Sequence, residues 1–174
     1  MNFDLSQTLE VLERTPVVLT SYLEDLPDFW LKQNEGPDTW SPYDVVGHLI
    51  VGEKTDWIPR ARIILGTATN KTFPEFDRFA QFEEDQNKPI NELLDQFSRL
   101  RHQNLRDLFS LQLTESDLNK TGIHPEFGEV TLRQLLATWA AHDLGHIAQI
   151  SRVMANKYQQ DVGPWSKYLK IIKK

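Results

Sequence analysis

Two histidines stand four residues apart in the segment His142-Asp143-Leu144-Gly145-His146. In an α-helix, residues at this spacing project from one face, so both imidazoles can bind the same metal ion. The surrounding sequence predicts such a helix, because apolar and polar residues follow one stripe: Leu135, Trp139, His142, His146, Gln149 and Val153. That stripe should face inward, where an imidazole ring needs a partner. Hydrogen-bonded or surface histidines remain the alternative for this pair alone.

A third histidine, His48, lies in the apolar segment Val45-Val46-Gly47-His48-Leu49-Ile50 and should also face inward. If its helix lies beside the later one, His48, His142 and His146 form a three-histidine site with a coordination position left for water or substrate. Three neutral nitrogen ligands suit zinc, nickel, iron or copper better than magnesium or calcium. Taken alone, His48 could equally be a histidine bonded to a backbone carbonyl at the edge of the core, but the three together favour a metal.

A divalent ion in such an open site can support two kinds of chemistry. It lowers the pKa of bound water to about 7, or it binds a substrate thiol as the thiolate. The chain has no cysteine, so any thiol must arrive with a substrate. Asp56, two turns after His48 on the same face, is the candidate catalytic base, whereas Glu53 is rotated away. Either acid could instead pair only with Arg60 or Arg62.

Other polar and aromatic residues near these motifs have structural alternatives. Asp143 could accept a hydrogen bond from a ligating imidazole or face solvent, and its helical angle favours solvent. Trp57, Trp139 and Trp165 are expected to pack in the core, with a substrate wall as the alternative. His124 lies in a loop and at most lines the mouth of a site.

Four long helical patterns are expected to position these residues. They run from Leu5 to Leu26 with a bend at Pro16, from the cap at Ser41 toward Leu65 with a bend at Pro59, from near Pro89 to Leu111, and from the capping box at Thr131 to about Lys157. The stretch from Leu113 to Val130 is expected to be mostly loop. Without a convincing strand pattern, the sequence predicts an all-α fold, a four-helix bundle.

Composition narrows the class of protein further. A chain of 174 residues fits one domain, spanning residues 1–174, whose core is large enough to fold without a metal. The 19 basic and 25 acidic residues give a net charge of -6, which argues against a nucleic-acid partner. Neither a leader pattern nor an apolar stretch long enough for a bilayer is evident, so we expect a cytoplasmic protein without a membrane partner.

At these residues the chain resembles the DinB-like superfamily of metal-binding four-helix bundles, which includes bacillithiol and mycothiol transferases. The resemblance covers nearly the whole chain. It rests on an ordered set of motifs: Thr39-Trp40-Ser41-Pro42, Val46-Gly47-His48-Leu49, Glu53 with Asp56-Trp57, Phe76-Asp77-Arg78, the segment from His142 to His146, and Gly163-Pro164-Trp165. It implies a zinc or nickel site on His48, His142 and His146, and it is compatible with a homodimer.

The resemblance does not imply one reaction, because the superfamily contains thiol-dependent transferases and proteins without an assigned activity. The leading hypothesis is an enzyme whose metal activates a low-molecular-weight thiol, or water, for attack on a small electrophile in detoxification or stress response. Gly47 stands where some transferase members have a second histidine, which weakens the transferase assignment. The alternatives are a non-catalytic bundle that binds a metal or small ligand, and a helical interaction module.

Overall fold

The computed structural model describes residues 3–83 and 87–172. Its α-helices are α1 Leu5–Leu23, α2 Asp28–Leu31, α3 Pro42–Thr55, α4 Trp57–Leu65, α5 Ile90–Ser110, α6 Glu115–Leu118 and α7 Leu132–Asn156. Turns of 3-10 helix lie at Ala80–Glu83, Gly163–Lys167 and Lys170–Ile172. Strands β1 Thr121–His124 and β2 Gly128–Thr131 form an antiparallel hairpin. In the described part of the chain, no helix combines the length and apolar character needed to cross a membrane.

The predicted all-α four-helix bundle is confirmed, and its four rods are α1, α3 with α4, α5, and α7. Helix α1 packs on α5 and α7, and helix α3 packs on the same two helices. Helices α1 and α3 therefore lie diagonally across the bundle. Helix α7 is covered by α1 on one side and by α3 and α4 on the other. The helices that carry His48 and the later histidine pair are thus neighbours, as the three-histidine prediction required.

The second rod breaks at Asp56, three residues before the predicted bend at Pro59. Helix α3 ends at Thr55, and Asp56 joins it to α4 with φ -107° and ψ -72°. Pro59 has no N–H to donate to the carbonyl of Thr55, and its ring crowds that carbonyl, so the helical hydrogen-bond pattern is interrupted at this point. The capping boxes that begin α3 at Ser41 and α7 at Thr131 are both present.

The absence of strands was a wrong expectation. The stretch predicted to be loop contains α6 and the β1–β2 hairpin, in which Thr121 pairs with Thr131 and His124 with Gly128. Each strand has only four residues, too few for an alternating pattern to stand out. The hairpin also holds the segment that follows α4 in place, because the backbone N–H of Phe73 donates to the carbonyl of Ile123 at 2.8 Å.

The core consists of two apolar layers with a buried polar layer between them. One apolar layer contains Leu12, Trp57, Ile58, Ala61, Ile64, Phe73, Leu108, Leu118, Leu132, Leu135, Leu136 and Trp139. The other contains Leu19, Leu23, Leu31, Tyr43, Val45, Val46, Leu49, Ile50, Ile90, Leu93, Leu94, Phe97 and Ile150. Each rod contributes buried polar residues between the two sets, among them Thr15, Glu53, Arg101 and Asp143.

Candidate metal centre

The three predicted histidines come together between α3 and α7. The Nε2 atom of His142 lies 3.2 Å from Nε2 of His48 and 3.1 Å from Nε2 of His146. One nitrogen from each ring lies within 4.8 Å of the other two. His48 is 5% exposed, and the other two rings are partly buried. The side chains therefore present their nitrogen atoms to one small volume at the bundle's edge.

This spacing fits a metal ion bound by three imidazoles. Two nitrogen atoms bound to a tetrahedral zinc at 2.0–2.1 Å lie roughly 3.3 Å apart, close to the separations observed here. The Nδ1 atom of His146 lies 2.9 Å from Oε1 of Gln149. Since that oxygen can only accept, Nδ1 carries the proton and Nε2 keeps its lone pair for a ligand. Among the described residues, the buried Nδ1 atoms of His48 and His142 have no hydrogen-bond partner.

Burial keeps the imidazoles neutral. It lowers the pKa of His48 to about 4, with smaller contributions from the charges of His146 and Arg78, while the main chain of Arg78 acts in the opposite direction. Burial and the neighbouring rings lower the pKa of His142 to about 3. The pKa of His146 is also lowered by burial, against its bond to Gln149. Metal ligation requires neutral imidazole, so these rings are in the ligating form at neutral pH.

Aromatic rings surround the histidines. Trp40 lies 4.7 Å from the ring of His48 and stacks on His146 at 6.3 Å. The edge of Phe76 meets His48 at 5.5 Å, and Trp57 meets His142 at 5.2 Å on the core side. We call Trp40, Phe76, Phe79 and Phe82 the aromatic rim. These rings make the approach to the histidines apolar.

Gly47 lets the rim approach α3. A Cβ atom at this position would lie 3.1 Å from Cβ of Gln81, in the 3-10 turn that follows the rim residues Phe76 and Phe79. That separation is tighter than ordinary van der Waals contact, so a side chain at this position would require Gln81 to shift by a few tenths of an ångström. Gly47, which the sequence presented only as a departure from the transferase pattern, thus has a packing reason.

A buried ion cluster lies beside the histidines in the polar layer. Arg101 donates to Glu53 through Nε and Nη2 at 3.1 and 2.8 Å, and to Asp143 through Nη1 and Nη2 at 2.6 and 3.0 Å. Its remaining Nη1 proton goes to the carbonyl of Leu12 at 2.9 Å. The guanidinium is fully buried, as is Asp143, and Glu53 is 2% exposed. All five N–H groups of the arginine are therefore used.

Other side chains also donate hydrogen bonds to the carboxylates of Glu53 and Asp143. Glu53 Oε1 accepts from the indole N–H of Trp139 at 3.0 Å, and Oε2 accepts from the amide of Asn104 at 2.9 Å. Asp143 Oδ2 accepts from the hydroxyl of Thr15 at 2.7 Å. The cluster thus contains one positive and two negative side chains, and each carboxylate has donors on both oxygens.

The acidic residues singled out in the sequence occupy other places than expected. Asp143 points away from the histidines as predicted, but into the core, because α7 is covered on both sides; the expectation that it faces solvent was wrong. Glu53 pairs with Arg101 rather than with Arg60 or Arg62. Asp56 does pair with Arg60, and burial raises the pKa of Asp56 to about 6 despite that ion pair. A base role for Asp56 stays a prediction.

Two of the three tryptophans expected in the core lie there, and one does not. Trp57 and Trp139 are 4% and 0% exposed and stack on each other at 5.6 Å, so the expectation of core packing is confirmed for both. Trp165 is 71% exposed in the 3-10 turn after α7, outside the bundle, and the same expectation was wrong for it. His124 lies in the hairpin, where its Nδ1 accepts from the main-chain N–H of Glu126 at 3.1 Å.

Replacement of Arg101 by methionine should destabilise the fold strongly, because two buried carboxylates lose their counter-charge. We expect the free energy of unfolding to fall by about 3–5 kcal/mol. The exposed Arg99, on the same helix, provides the matched control. Arg99→Met should change the free energy of unfolding by less than about 0.5 kcal/mol. Urea unfolding followed by circular dichroism measures both. Similar midpoints for the two variants would contradict the importance of the cluster.

The metal-free protein should lose stability as the pH falls below 6.5. His48 and His142 have folded-state pKa values of about 4 and about 3, against 6.5 for an ordinary histidine. Between these values the unfolded chain binds more protons, so each ring contributes a slope of up to about 1.4 kcal/mol per pH unit. The stability is fully present above pH 6.5 and is lost toward the folded-state values.

Denaturant unfolding in the presence of a chelator, repeated from pH 7 to pH 4, measures this slope. His142→Gln removes one of the two groups, so its stability should fall less steeply than that of the wild type over the same range. Groups such as Asp56, whose raised pKa has the opposite effect on stability, contribute equally to both proteins. If the free energy of unfolding of both proteins fell equally steeply with pH, His142 would not be held neutral by burial.

Comparison with known proteins assigns the chain to a family. The family model described as the DinB superfamily matches residues 11–150. Proteins named "Putative metal-dependent hydrolase" from Bacillus cereus and Bacillus thuringiensis are each 28% identical over 145 residues, covering 82% of this chain and 81% of theirs.

A solved structure shows the same fold. YfiT from Bacillus subtilis, described as a probable metal-dependent hydrolase with an unusual four-helix bundle topology, superposes with a TM-score of 0.75 at 21% sequence identity. The superposition covers 88% of this chain and 87% of that one. With the family model matching most of its length, the chain belongs to the DinB superfamily.

Proposed function

We propose that this protein is a metal-dependent enzyme in which His48, His142 and His146 bind one divalent ion, zinc or nickel. The enzyme would use a low-molecular-weight thiol to attack a small electrophile. The observation that carries the proposal is the convergence of three neutral Nε2 atoms at 3.1–3.2 Å. A divalent ion bound there would act as a Lewis acid that lowers the pKa of an incoming thiol or water.

The surrounding residues prepare the site for such a ligand. Burial holds the imidazoles in the neutral form, and the Gln149 contact fixes the tautomer of His146. The Arg101 cluster holds α7 against α3, so the rings are in place before a ligand binds. Trp57 and the aromatic rim limit the access of water, which strengthens electrostatic effects within the site.

The disposition of the carboxylates favours a thiol over water as the nucleophile. Within the described residues, no carboxylate is hydrogen-bonded to a ring nitrogen of the three histidines, and Glu53, Asp56 and Asp143 are engaged by arginines. A thiol is deprotonated outright when it coordinates a cation such as zinc, whereas water reaches only a pKa of about 7. The thiol therefore has less need of a separate base.

Hydrolysis is the second candidate, and the names of the relatives favour it. The curated relatives carry the name "Putative metal-dependent hydrolase", and YfiT is described as "a probable metal-dependent hydrolase". The same three histidines would then serve a water nucleophile, and Asp56 is the acidic residue that the sequence suggested as its base. A bundle that binds metal without turnover is the remaining alternative.

Metal content tests the site directly. We expect protein purified without an affinity tag to contain about one equivalent of zinc or nickel, and His142→Ala to lose it. Loss of a ligand should lower zinc affinity by more than the roughly 10- to 100-fold caused by changes in residues that only hydrogen-bond to the ligands. His102→Ala is the matched control, since His102 is exposed on α5. Equal zinc affinity in the wild type and His142→Ala, with both folded by circular dichroism, would rule out the site.

Turnover by the zinc-loaded protein distinguishes the two nucleophiles. With cysteine and 1-chloro-2,4-dinitrobenzene as probes, the thiolate sulfur attacks the ring carbon, chloride leaves with the bonding electron pair, and the thiol proton passes to solvent. We expect the thioether to form faster than without protein, and not faster with His142→Ala. Dinitrophenol formed without thiol would instead support hydrolysis. If the protein accelerates the formation of neither product, catalysis on this class of electrophile is contradicted.

A further inference from the structure

An exposed arginine lies at the edge of the candidate metal centre. Arg78 follows Phe76 in the segment that covers His48, and the centre of its guanidinium lies 6.0 Å from the centroid of the Phe79 ring. Across the described residues, no carboxylate forms an ion pair with it. The carboxylate of the adjacent Asp77 accepts the main-chain N–H of Phe79 at 2.8 Å instead. Arg78 thus presents a positive charge that has no acidic partner among the described residues, in a chain whose net charge is -6.

Ring contacts connect Arg78 to the histidines. The guanidinium lies 6.0 Å from the Phe79 ring, which meets Trp40 at 6.4 Å, and Trp40 lies 4.7 Å from the ring of His48. Phe76, two residues before Arg78, meets His48 directly at 5.5 Å. A molecule that contacts the histidines and extends over these rings therefore comes within reach of the guanidinium.

The surface between Arg78 and the histidines is aromatic. Phe79 is 56% exposed and Phe82 is 45% exposed, and their rings stack at 6.4 Å. Phe79 also meets Trp40 edge-to-face at 6.4 Å, and Trp40 continues the surface to His48 and His146. Exposed large aromatic residues grouped beside a polar site are typical of ligand-binding surfaces.

We propose that Arg78 and the aromatic rim select substrates with an apolar body that bears a carboxylate. The reactive end of the substrate would lie at His48, His142 and His146, its body on the rings of Trp40 and Phe79, and its carboxylate on the guanidinium. This assignment rests on the proposed function and adds its substrate class.

The chemistry of arginine favours a carboxylate as the recognised group. The planar guanidinium donates two parallel N–H groups to a carboxylate, and it also stacks on aromatic faces, as Arg78 does on Phe79. Stacking limits the conformations of the side chain, so less freedom is lost when the anion binds. The low polarity of the rim strengthens the attraction, because fewer water molecules compete for the guanidinium.

Calorimetric titration of the zinc-loaded protein with two probes tests the inference. The probes are 4-mercaptophenylacetate and its neutral amide, 4-mercaptophenylacetamide, which differ in the charged group alone. We expect the acid to bind about tenfold more tightly or better, the size expected for a hydrogen bond to a charged group. In Arg78→Gln the two affinities should become equal through weaker binding of the acid. Arg99→Gln makes the same change of net charge on a distant exposed helix face and should keep the wild-type preference.

The outcomes separate this inference from the proposed function. Zinc affinity is measured first on the wild type and on Arg78→Gln, and it should be the same for both. If the wild type fails to bind zinc, the proposed function fails, and the substrate assignment fails with it. If zinc binds but neither probe does, or if Arg78→Gln keeps the preference for the acid, the role of Arg78 is overturned while the metal centre stands.

Discussion

A buried guanidinium requires counter-charge and an acceptor for each of its five N–H groups, and the fold is arranged to supply both to Arg101. The charge is balanced by Glu53 on α3 and Asp143 on α7, and the last acceptor is the carbonyl of Leu12 on α1. All four rods thus meet at one side chain of α5. Such a contact tolerates little sliding of one helix along another, because each shift would leave a buried donor or carboxylate without its partner.

The candidate metal centre depends on this arrangement. His142 directly precedes Asp143 on α7, and His48 precedes Glu53 by little more than one turn on α3. When Arg101 binds both carboxylates, it sets the relative height of α3 and α7, and that height brings the Nε2 atoms of His48 and His142 to 3.2 Å. The packing of α3 and α7 on Arg101 therefore accounts for the position of these two rings.

The sequence predicts the rods and the histidine cluster well, because both leave local periodic signals. Capping boxes and apolar stripes are read within one helix, and His142 and His146 share a face by their spacing alone. The Arg101 cluster was missed because its members are far apart in the sequence and each looks like a surface charge. A signal did exist: Phe97, Arg101, Asn104 and Leu108 follow one stripe of α5, so the arginine occupies a core-facing position.

The proline inside α1 leaves a backbone carbonyl without its helical donor, and the side chain of Arg101 on α5 binds that carbonyl. Pro16 lacks the N–H that would bond to the carbonyl of Leu12, and in an isolated helix interior a proline costs about 3 kcal/mol. The structure keeps the helix continuous and gives that carbonyl to Arg101 at 2.9 Å. Without the proline, the carbonyl of Leu12 would also accept an N–H from its own helix, and the guanidinium would have to share it. The proline therefore leaves this acceptor to Arg101 alone, and part of its local cost to α1 is offset by the charge cluster beside the histidines.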